Sequence, residues 1–143
     1  LECVGSYEGG YYGGSLRMLD LSQNHKLEYL QIKNNKSISQ LSLHNNMNLY
    51  WLGLSGTGIK DIDLSSNVSV SYIEAYNSSL SILDLTSNPQ VETLKVTGSR
   101  DLLYIYVKYG HKITVMEIDS HTTVVTKMNS VENPKIDYPS EWS

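Results

Sequence analysis

The sequence predicts a β-solenoid, in which short strands stack coil upon coil with little or no helix. The first observation is the hexapeptide LDLSQN at 19–24, which returns as IDLSSN at 62–67 and LDLTSN at 83–88. The second is a repeating unit of only 21–22 residues that divides into two halves of about 11. Because a stable helix would take up most of such a half, each half is left with one short strand and a turn.

The first half of each unit ends on a turn residue that is almost always asparagine. Its five copies occupy residues 16–24, 38–46, 59–67, 80–88 and 102–110. The ninth position is held, at spacings of 22, 21, 21 and 22, by Asn24, Asn46, Asn67, Asn88 and Gly110. An asparagine side chain both donates and accepts hydrogen bonds, so it can bond the backbone of its own turn and of the next coil. These side chains are therefore predicted to form a ladder.

The second half repeats the same apolar spacing, and only its first copy ends in asparagine. Its copies occupy residues 27–35, 49–57, 70–78, 91–99 and 113–121. In all ten halves the first position is Leu, Ile or Val, the fourth is Leu, Ile or Met, and the sixth is Leu, Ile or Val except at Ala75. Apolar positions 4 and 6 around a variable position 5 indicate a strand with one buried face. Stacked coils can bury these side chains, each contributing roughly 1.5–3 kcal/mol.

The two ends of the chain depart from this register. Residues 1–15 are interpreted as a partial repeat in which Cys3 is a core residue, interrupted by the insertion EGGYYGG, which is either a loose loop or a ligand-contacting one. Residues 16–128 are predicted to form the solenoid of about five coils, although the pattern fades after residue 121. Residues 129–143 contain two of the three prolines, which interrupt strand pairing. This segment is predicted to be a cap or linker, with Trp142 over the open end of the core.

The composition argues against several classes of function. A chain of 143 residues with 40% hydrophobic and 18% charged residues suits one folded domain. Its formal charge of −4 offers no attraction for phosphate backbones, so we expect no nucleic-acid partner. The lone cysteine excludes an internal disulfide, and no apolar run is long enough for this segment to insert into a membrane.

The outward positions of the second halves carry the candidate binding residues. Position 3 places Tyr29, Trp51 and Tyr72 on successive coils about 4.8 Å apart, which predicts an aromatic stripe about 10 Å long. Exposed Tyr and Trp are frequent interface anchors, yet such pairs also stabilise sheets that bind nothing. Positions 5 and 7 complete the candidate ligand-binding set, which comprises Tyr29, Trp51, Tyr72, Glu74, Tyr76 and Lys95.

The outward positions of the first halves are more uniform and are interpreted as structural. Position 5 holds Asp20, Ser42, Asp63, Asp84 and Tyr106. Asp63 and Asp84 are stacked neighbours whose like charges repel. A calcium ion could relieve this repulsion, but water and the hydroxyls of Ser65 and Thr86 are the commoner solution. A second aromatic cluster, formed either for packing or for contact, comprises Tyr104, Tyr106 and Tyr109.

The sequence contains no arrangement typical of catalysis. None of the four histidines lies in metal-ligand or triad spacing, namely His25, His44, His111 and His121. Asp119 and His121 share one strand face, which is a weak signal, and no serine lies in a G-x-S-x-G turn. We therefore expect no enzyme, no catalytic residue, no metal and no cofactor.

The pattern L-x-x-L-x-L-x-x-N, which covers residues 16–121, resembles the leucine-rich repeat. The short unit with LDLSxN in one half is similar to the 21-residue repeats of internalin-type and related bacterial surface proteins. This resemblance implies a right-handed curved solenoid that is non-catalytic, lies at the cell surface or is secreted, and binds another protein such as a host or matrix protein. Two alternatives stay open: a structural spacer or stalk, and a carbohydrate-binding module that holds a glycan on the aromatic stripe.

Overall fold

The structure, a computed structural model, describes residues 11–12 and 16–128. Within those ranges the regular structure consists of short strands, and no helix occurs. The strands are β1 (Tyr11–Tyr12), β2 (Tyr29–Lys33), β3 (Trp51–Gly53), β4 (Tyr72–Glu74), β5 (Ile82–Asp84), β6 (Thr93–Lys95), β7 (Tyr104–Lys108), β8 (Val115–Glu117) and β9 (Thr123–Lys127). The described residues include no helix of the length and apolarity needed to cross a membrane.

The strands assemble into two parallel sheets around one apolar core. The long sheet has the order β1-β2-β3-β4-β6-β8, and the short sheet has the order β5-β7-β9. The register advances by one whole coil at each step, so that Tyr29 pairs with Trp51 and Trp51 with Tyr72. Equivalent positions of successive repeats therefore lie side by side. This confirms the β-solenoid predicted from the period of 21–22 residues.

The first half of the repeat forms a strand only in the later coils. The segments 16–24, 38–46 and 59–67 contain no strand, whereas β5, β7 and β9 pair with one another. The outward positions of the three unpaired segments are polar or unbranched: Met18, Asp20, Gln40, Ser42, Asp61 and Asp63. Those of β7 and β9, the five-residue strands of the short sheet, are β-branched or aromatic: Tyr104, Tyr106, Thr123 and Val125. Since such residues favour strands, the second strand expected in every coil is limited to the C-terminal coils.

The core is built from the repeat positions themselves. Every buried hydrophobic side chain in the described ranges occupies a first, fourth or sixth position of a half-unit, including Ala75. Burial weakens towards β8, where Met116 is 37% exposed and Ile113 and Ile118 are only partly buried. Among the described strands, β8 pairs only with β6, so its core side chains are covered from one side.

The buried asparagines of the first halves form the predicted ladder, but the Nδ2 groups of Asn46, Asn67 and Asn88 bond the preceding coil and not their own turn or the next coil. Asn35, the buried asparagine of a second half, instead donates to Lys33 O of its own turn at 2.9 Å. Asn67 Nδ2 donates to Leu43 O at 2.9 Å and to Asn46 O at 2.8 Å. Asn46 makes the equivalent pair of bonds to Leu21 O and Asn24 O, and Asn88 makes it to Leu64 O and Asn67 O. The two protons of one amide thus satisfy two carbonyl oxygens of a turn that has no strand partner there.

The turns of the second halves depend on hydroxyl groups and left-handed backbone. Thr57 Oγ1 donates to Leu54 O at 2.8 Å, and Ser99 Oγ donates to Ala75 O at 2.9 Å. The eighth position has a positive φ in four successive repeats, at Asn34, Gly56, Asn77 and Gly98. Glycine and asparagine are the residue types that tolerate this conformation, so the turn keeps its shape although the ninth position no longer holds asparagine.

Gly58 lies where the backbones of two coils touch. A Cβ atom at this position would overlap Lys36 O and would come 3.1 Å from Ile38 O, and neither backbone atom can move without disturbing its coil. We expect Gly58→Ala to lower the free energy of unfolding by about 2 kcal/mol, measured by urea denaturation. Gly110→Ala is the control, because its φ is 81° but its Cβ would meet nothing within 4 Å. It should lose about 1 kcal/mol, and a loss equal to that of Gly58→Ala would contradict the steric explanation.

The N-terminal repeat differs from the expected one. Tyr11–Tyr12, expected to lie in the inserted loop, forms β1 and pairs with β2, with Tyr11 opposite Ile32. The repeat register of the sequence instead predicts that Cys3 occupies the position equivalent to Ile32. Tyrosine favours extended backbone, which explains why this pair of residues joins the sheet. The other residues of 1–15, including Cys3, and the cap or linker at 129–143 with Trp142, lie outside the described residues.

β9 continues the short sheet beyond the point where the apolar pattern fades. Its register pairs Ile105 with Val124 and Val107 with Thr126, a step of 19 residues. The shorter step moves this strand out of the 21–22-residue frame. Thr126 also places a polar side chain at a position that is apolar in the other coils. These two departures explain why periodicity alone does not predict β9.

Candidate functional site

The outward side of the long sheet carries an aromatic stack. Tyr29, Trp51 and Tyr72 lie in register on β2, β3 and β4. The ring centroids of Tyr29 and Trp51 are 4.2 Å apart with 17° between the planes, and those of Trp51 and Tyr72 are 5.3 Å apart with 13° between the planes. Rings this close and this nearly parallel overlap face to face. The predicted stripe is confirmed as a stack that covers both faces of the indole and turns ring edges outward.

Gly53 makes room for the Trp51 indole. A Cβ atom on this glycine would lie 2.5 Å from Trp51 Cζ3 and 2.6 Å from Cη2, and 3.2 Å from Gln31 Cγ. The indole therefore fills the space that a side chain at position 5 takes in the other coils. Trp51 is half-buried between its two neighbours and the sheet, so its orientation is fixed by packing on three sides.

A salt bridge runs beside the stack and spans two coils. Lys33 Nζ lies 3.1 Å from Glu74 Oε1, and the two side chains are 26% and 15% exposed. The pair can close because the residue between them on β3's coil is the small Ser55, whose Oγ donates to the same Glu74 Oε1 at 3.4 Å. Tyr76 N in turn donates to Ser55 Oγ at 3.1 Å. Partial burial reduces screening by salt, so this pair is held more firmly than a fully exposed one.

Tyr76, Lys95 and Glu117 form a second polar cluster on the same face. Tyr76 Oη donates to Glu117 Oε2 at 2.8 Å, and Lys95 Nζ lies 3.1 Å from Glu117 Oε1. The hydrogen bonds from Tyr76 and then Lys95 lower the pKa of Glu117, and the bond to Glu117 raises the pKa of Lys95. Burial, followed by the bond to Glu117, raises the pKa of Tyr76. All three groups keep their ordinary charge at neutral pH and hold one another in place.

All six candidate residues lie on this one face. Three of them form the stack. The other three belong to polar clusters whose charged groups pair with other residues of the same chain. The sequence-based set lacks Lys33, Gly53 and Glu117. Lys33 and Glu117 occupy outward positions, and the signal that could have identified them is their charge, opposite to that of Glu74 and Lys95. Gly53 has no such signal, because its role depends on where the indole lies.

On the outward side of the first halves, aspartate side chains accept hydrogen bonds from backbone N–H groups of the turn that follows. Asp63 Oδ1 accepts from Ser65 N at 2.9 Å, and Asp84 Oδ1 accepts from Thr86 N at 2.9 Å. Hydrogen bonds from Ser65 lower the pKa of Asp63. Burial raises the pKa of Asp84, but bonds from Thr86 and Lys127 outweigh it and lower the pKa. Partners on the chain itself therefore offset the repulsion expected between the two carboxylates.

The second aromatic cluster is looser than the stack. The Tyr104 and Tyr106 rings are 6.2 Å apart with 20° between their planes. Lys127 Nζ lies 3.9 Å from the centroid of the Tyr106 ring while it pairs with Asp84 Oδ2 at 2.9 Å. Tyr109, the third expected member, is 63% exposed. The cluster is thus a pair of tyrosine rings on the short sheet, with the Lys127 ammonium over the ring of Tyr106.

One histidine contact has a composition reminiscent of catalytic sites. His44 Nδ1 lies 2.8 Å from Ser66 Oγ in an exposed contact between adjacent coils. The nearby Asp63 carboxylate accepts from Ser65 N, and no carboxylate among the described residues hydrogen-bonds the His44 ring as in a triad. Asp119 and His121, expected to share a strand face, lie outside any strand, because β8 ends at Glu117 and His121 is in a turn. Asp119 accepts from Gly98 N at 2.7 Å. In residues 11–12 and 16–128, no group of three or more His, Cys, Asp or Glu side chains could hold a metal ion.

Comparison with known proteins gives one structural likeness. No family model and no curated protein matches this chain. Among solved structures, it is similar to the functional domain of InlJ from Listeria monocytogenes, which includes a cysteine ladder, with 17% sequence identity and a TM-score of 0.48. The match covers 76% of this chain and 33% of that one, so the chain spans about a third of the InlJ structure. A likeness at this level transfers no residue role and no ligand.

Proposed function

We propose that this chain is a non-catalytic protein-binding module whose ligand docks on the outward side of the long sheet. The observation that carries the proposal is the stack of Tyr29, Trp51 and Tyr72 beside two closed polar clusters. Tyr and Trp are the side chains that most often anchor protein interfaces. Here stacking holds their rotamers before any ligand arrives, so little conformational entropy is lost on binding.

The orientation of the rings favours a protein over a carbohydrate. A sugar ring packs on the flat face of an aromatic side chain, whereas both faces of Trp51 are covered by its neighbours at 4.2 and 5.3 Å. Outward, the stack presents carbon–hydrogen edges, which carry partial positive charge and suit the mixed apolar and polar side chains of a protein. The charged residues next to the stack are paired within the chain, so the surface leaves no buried charge for the ligand to neutralise.

We further propose that the module acts at a bacterial cell surface or after secretion. The support is the repeat itself, whose 21–22-residue unit is similar to that of internalin-type surface proteins. A host or matrix protein is then the expected class of ligand. A structural spacer needs the same apolar core but does not need an aromatic stack on its surface.

Replacing Trp51 and Tyr72 together by alanine is expected to abolish ligand binding while the fold survives. Both side chains lie on the outside of the sheet, so their removal takes away the anchors and leaves the core intact. We expect the dissociation constant to rise by at least about 100-fold. The measurement is surface plasmon resonance of wild type and variant against a panel of immobilised host-surface and matrix proteins, with circular dichroism to confirm the fold.

The matched control removes the looser ring pair from the opposite sheet. Tyr104→Ala with Tyr106→Ala deletes a similar aromatic area and should bind the ligand like wild type. Equal binding by wild type and the Trp51/Tyr72 variant would contradict the proposed surface. Wild-type binding to a glycan array with no protein partner would replace the proposal by the carbohydrate alternative. A chain that binds neither class would support the spacer.

A further inference from the structure

All four methionines of the chain are exposed, but only one of them stands at a core position of the repeat. Met18 is 84% exposed, Met47 59%, Met128 58% and Met116 37%. Met116 occupies the fourth position of the half-unit 113–121. The same position is buried in the preceding second halves, at Leu30, Leu52, Ile73 and Leu94. Met116 is therefore the one methionine that belongs to the apolar core pattern and is also open to solvent.

The coil of β8 covers the end of the core, with Met116 in register with Leu94 of β6. Leu94 is 0% exposed, although β8 is the last described strand of the long sheet. Ile113 and Ile118, before and after β8, are partly buried and pack against the core. The β8 coil therefore shields Leu94 from solvent, and burial of its apolar side chains helps to hold it on β6. Among the described residues, no second strand pairs with β8 to support it.

A peroxide oxidises a thioether by transferring one oxygen atom to the sulfur. The methionine sulfur attacks one oxygen of hydrogen peroxide, the O–O bond breaks as the S–O bond forms, and the second oxygen leaves as water with both peroxide protons. The sulfur loses two electrons and the peroxide gains them, and the flexible apolar side chain becomes a polar sulfoxide. At Met18, Met47 and Met128 the new oxygen stays in water. At Met116 it either lies against the core without a hydrogen-bond partner or draws the side chain away from Leu94.

We propose that Met116 is an oxidation site, at which a peroxide converts the thioether to a sulfoxide and thereby loosens β8 from β6. The neighbouring Glu117 accepts from Tyr76 Oη at 2.8 Å and pairs with Lys95 Nζ at 3.1 Å, so loosening of β8 also opens this polar cluster. Sulfoxide reductases return methionine sulfoxide to the thioether, so the change is reversible. It requires no ligand on the outward side of the long sheet and is therefore independent of the proposed function.

The test treats the 15N-labelled full chain with hydrogen peroxide and compares two measurements over time. Peptide mass spectrometry gives the sulfoxide fraction at each methionine, and NMR gives the hydrogen-exchange rates of backbone amides. The amides of Val115 and Val96 report on β8, because they donate to Glu92 O at 3.0 Å and to Glu117 O at 2.8 Å. We expect their exchange to become at least about tenfold faster as Met116 is oxidised, and to recover after treatment with sulfoxide reductases. The amide of Leu54, which donates within the earlier coils, should keep its rate.

Two variants assign the effect to one sulfur atom. Met116→Leu restores the residue type that Leu94 has at this position and should keep slow exchange after peroxide. A chain in which Met18, Met47 and Met128 are all replaced by leucine keeps Met116 and should respond like wild type. The proposal would be overturned if Met116 stayed unoxidised while the other three reacted fully, or if its complete oxidition left the exchange of β8 unchanged. Faster exchange that persisted in Met116→Leu, or that included the Leu54 amide equally, would also contradict it.

Discussion

Asn67→Ala is expected to lower the free energy of unfolding by about 3 kcal/mol. The substitution removes two buried hydrogen bonds, to Leu43 O at 2.9 Å and Asn46 O at 2.8 Å, each contributing about 1 kcal/mol. The missing amide also leaves a hole in a site that is 0% exposed, and the two carbonyl oxygens keep only the turn hydrogen bonds from Asn46 N and Leu49 N. Urea denaturation followed by circular dichroism gives the change directly.

Asn48→Ala is the matched control for this effect. Asn48 Nδ2 also donates to a carbonyl of the preceding coil, His25 O at 3.1 Å, but this contact is exposed. Water replaces the lost donor there, so the variant should lose less than about 1 kcal/mol. If the two variants were destabilised equally, burial of the asparagine ladder would not be the reason for its contribution.

Leu52→Ala is expected to lower the free energy of unfolding by about 3–4 kcal/mol. Leu52 is 0% exposed at the centre of β3, with Leu30 and Ile73 in register on either side. Strand hydrogen bonds hold the three coils at a fixed spacing, so the neighbours cannot close inward on the space left behind. The cavity therefore persists, and its cost adds to the lost burial of the side chain. Thermal and urea unfolding would both report this loss.

Leu103→Ala provides the control with the same chemical change on the outside. Leu103 is 52% exposed at the second position of its half-unit, where the repeat pattern requires no apolar residue. We expect a change within about 0.5 kcal/mol. A large loss at Leu103 together with a small loss at Leu52 would reverse the assignment of inside and outside on which the solenoid rests.

Much of the fold follows from local alternation in the sequence. Positions 4 and 6 of a half-unit are two residues apart, so an extended backbone points them to the same side wherever that half-unit lies. This is why the sequence identifies the core positions, Ala75 included, with Met116 as the exception at 37% exposed. The same reasoning does not predict β9, because its step of 19 residues and Thr126 at a core position remove the periodic signal.

The candidate surface follows from the sequence only in part. Alternation places Tyr29, Trp51 and Tyr72 on the outside and in one row, and the structure agrees. The partners of the polar residues do not follow from alternation. Lys33 reaches Glu74 two coils away only because the coil between them carries a small residue at the intervening position, and a sequence pattern does not state which side chains can meet across such a gap.

The sequence by itself determined the period, the apolar core positions, the existence of the asparagine ladder and the face that carries the aromatic row. The inward or outward direction of each side chain follows from alternation within one half-unit, and the rest follows from the recurrence of that half-unit every 21–22 residues. The tertiary structure decided that Asn46, Asn67 and Asn88 bond the preceding coil, that the second sheet forms only in the later coils, and that the rings stack face to face. Each of these depends on distances between residues one or two coils apart, and only the coil-to-coil register sets those distances.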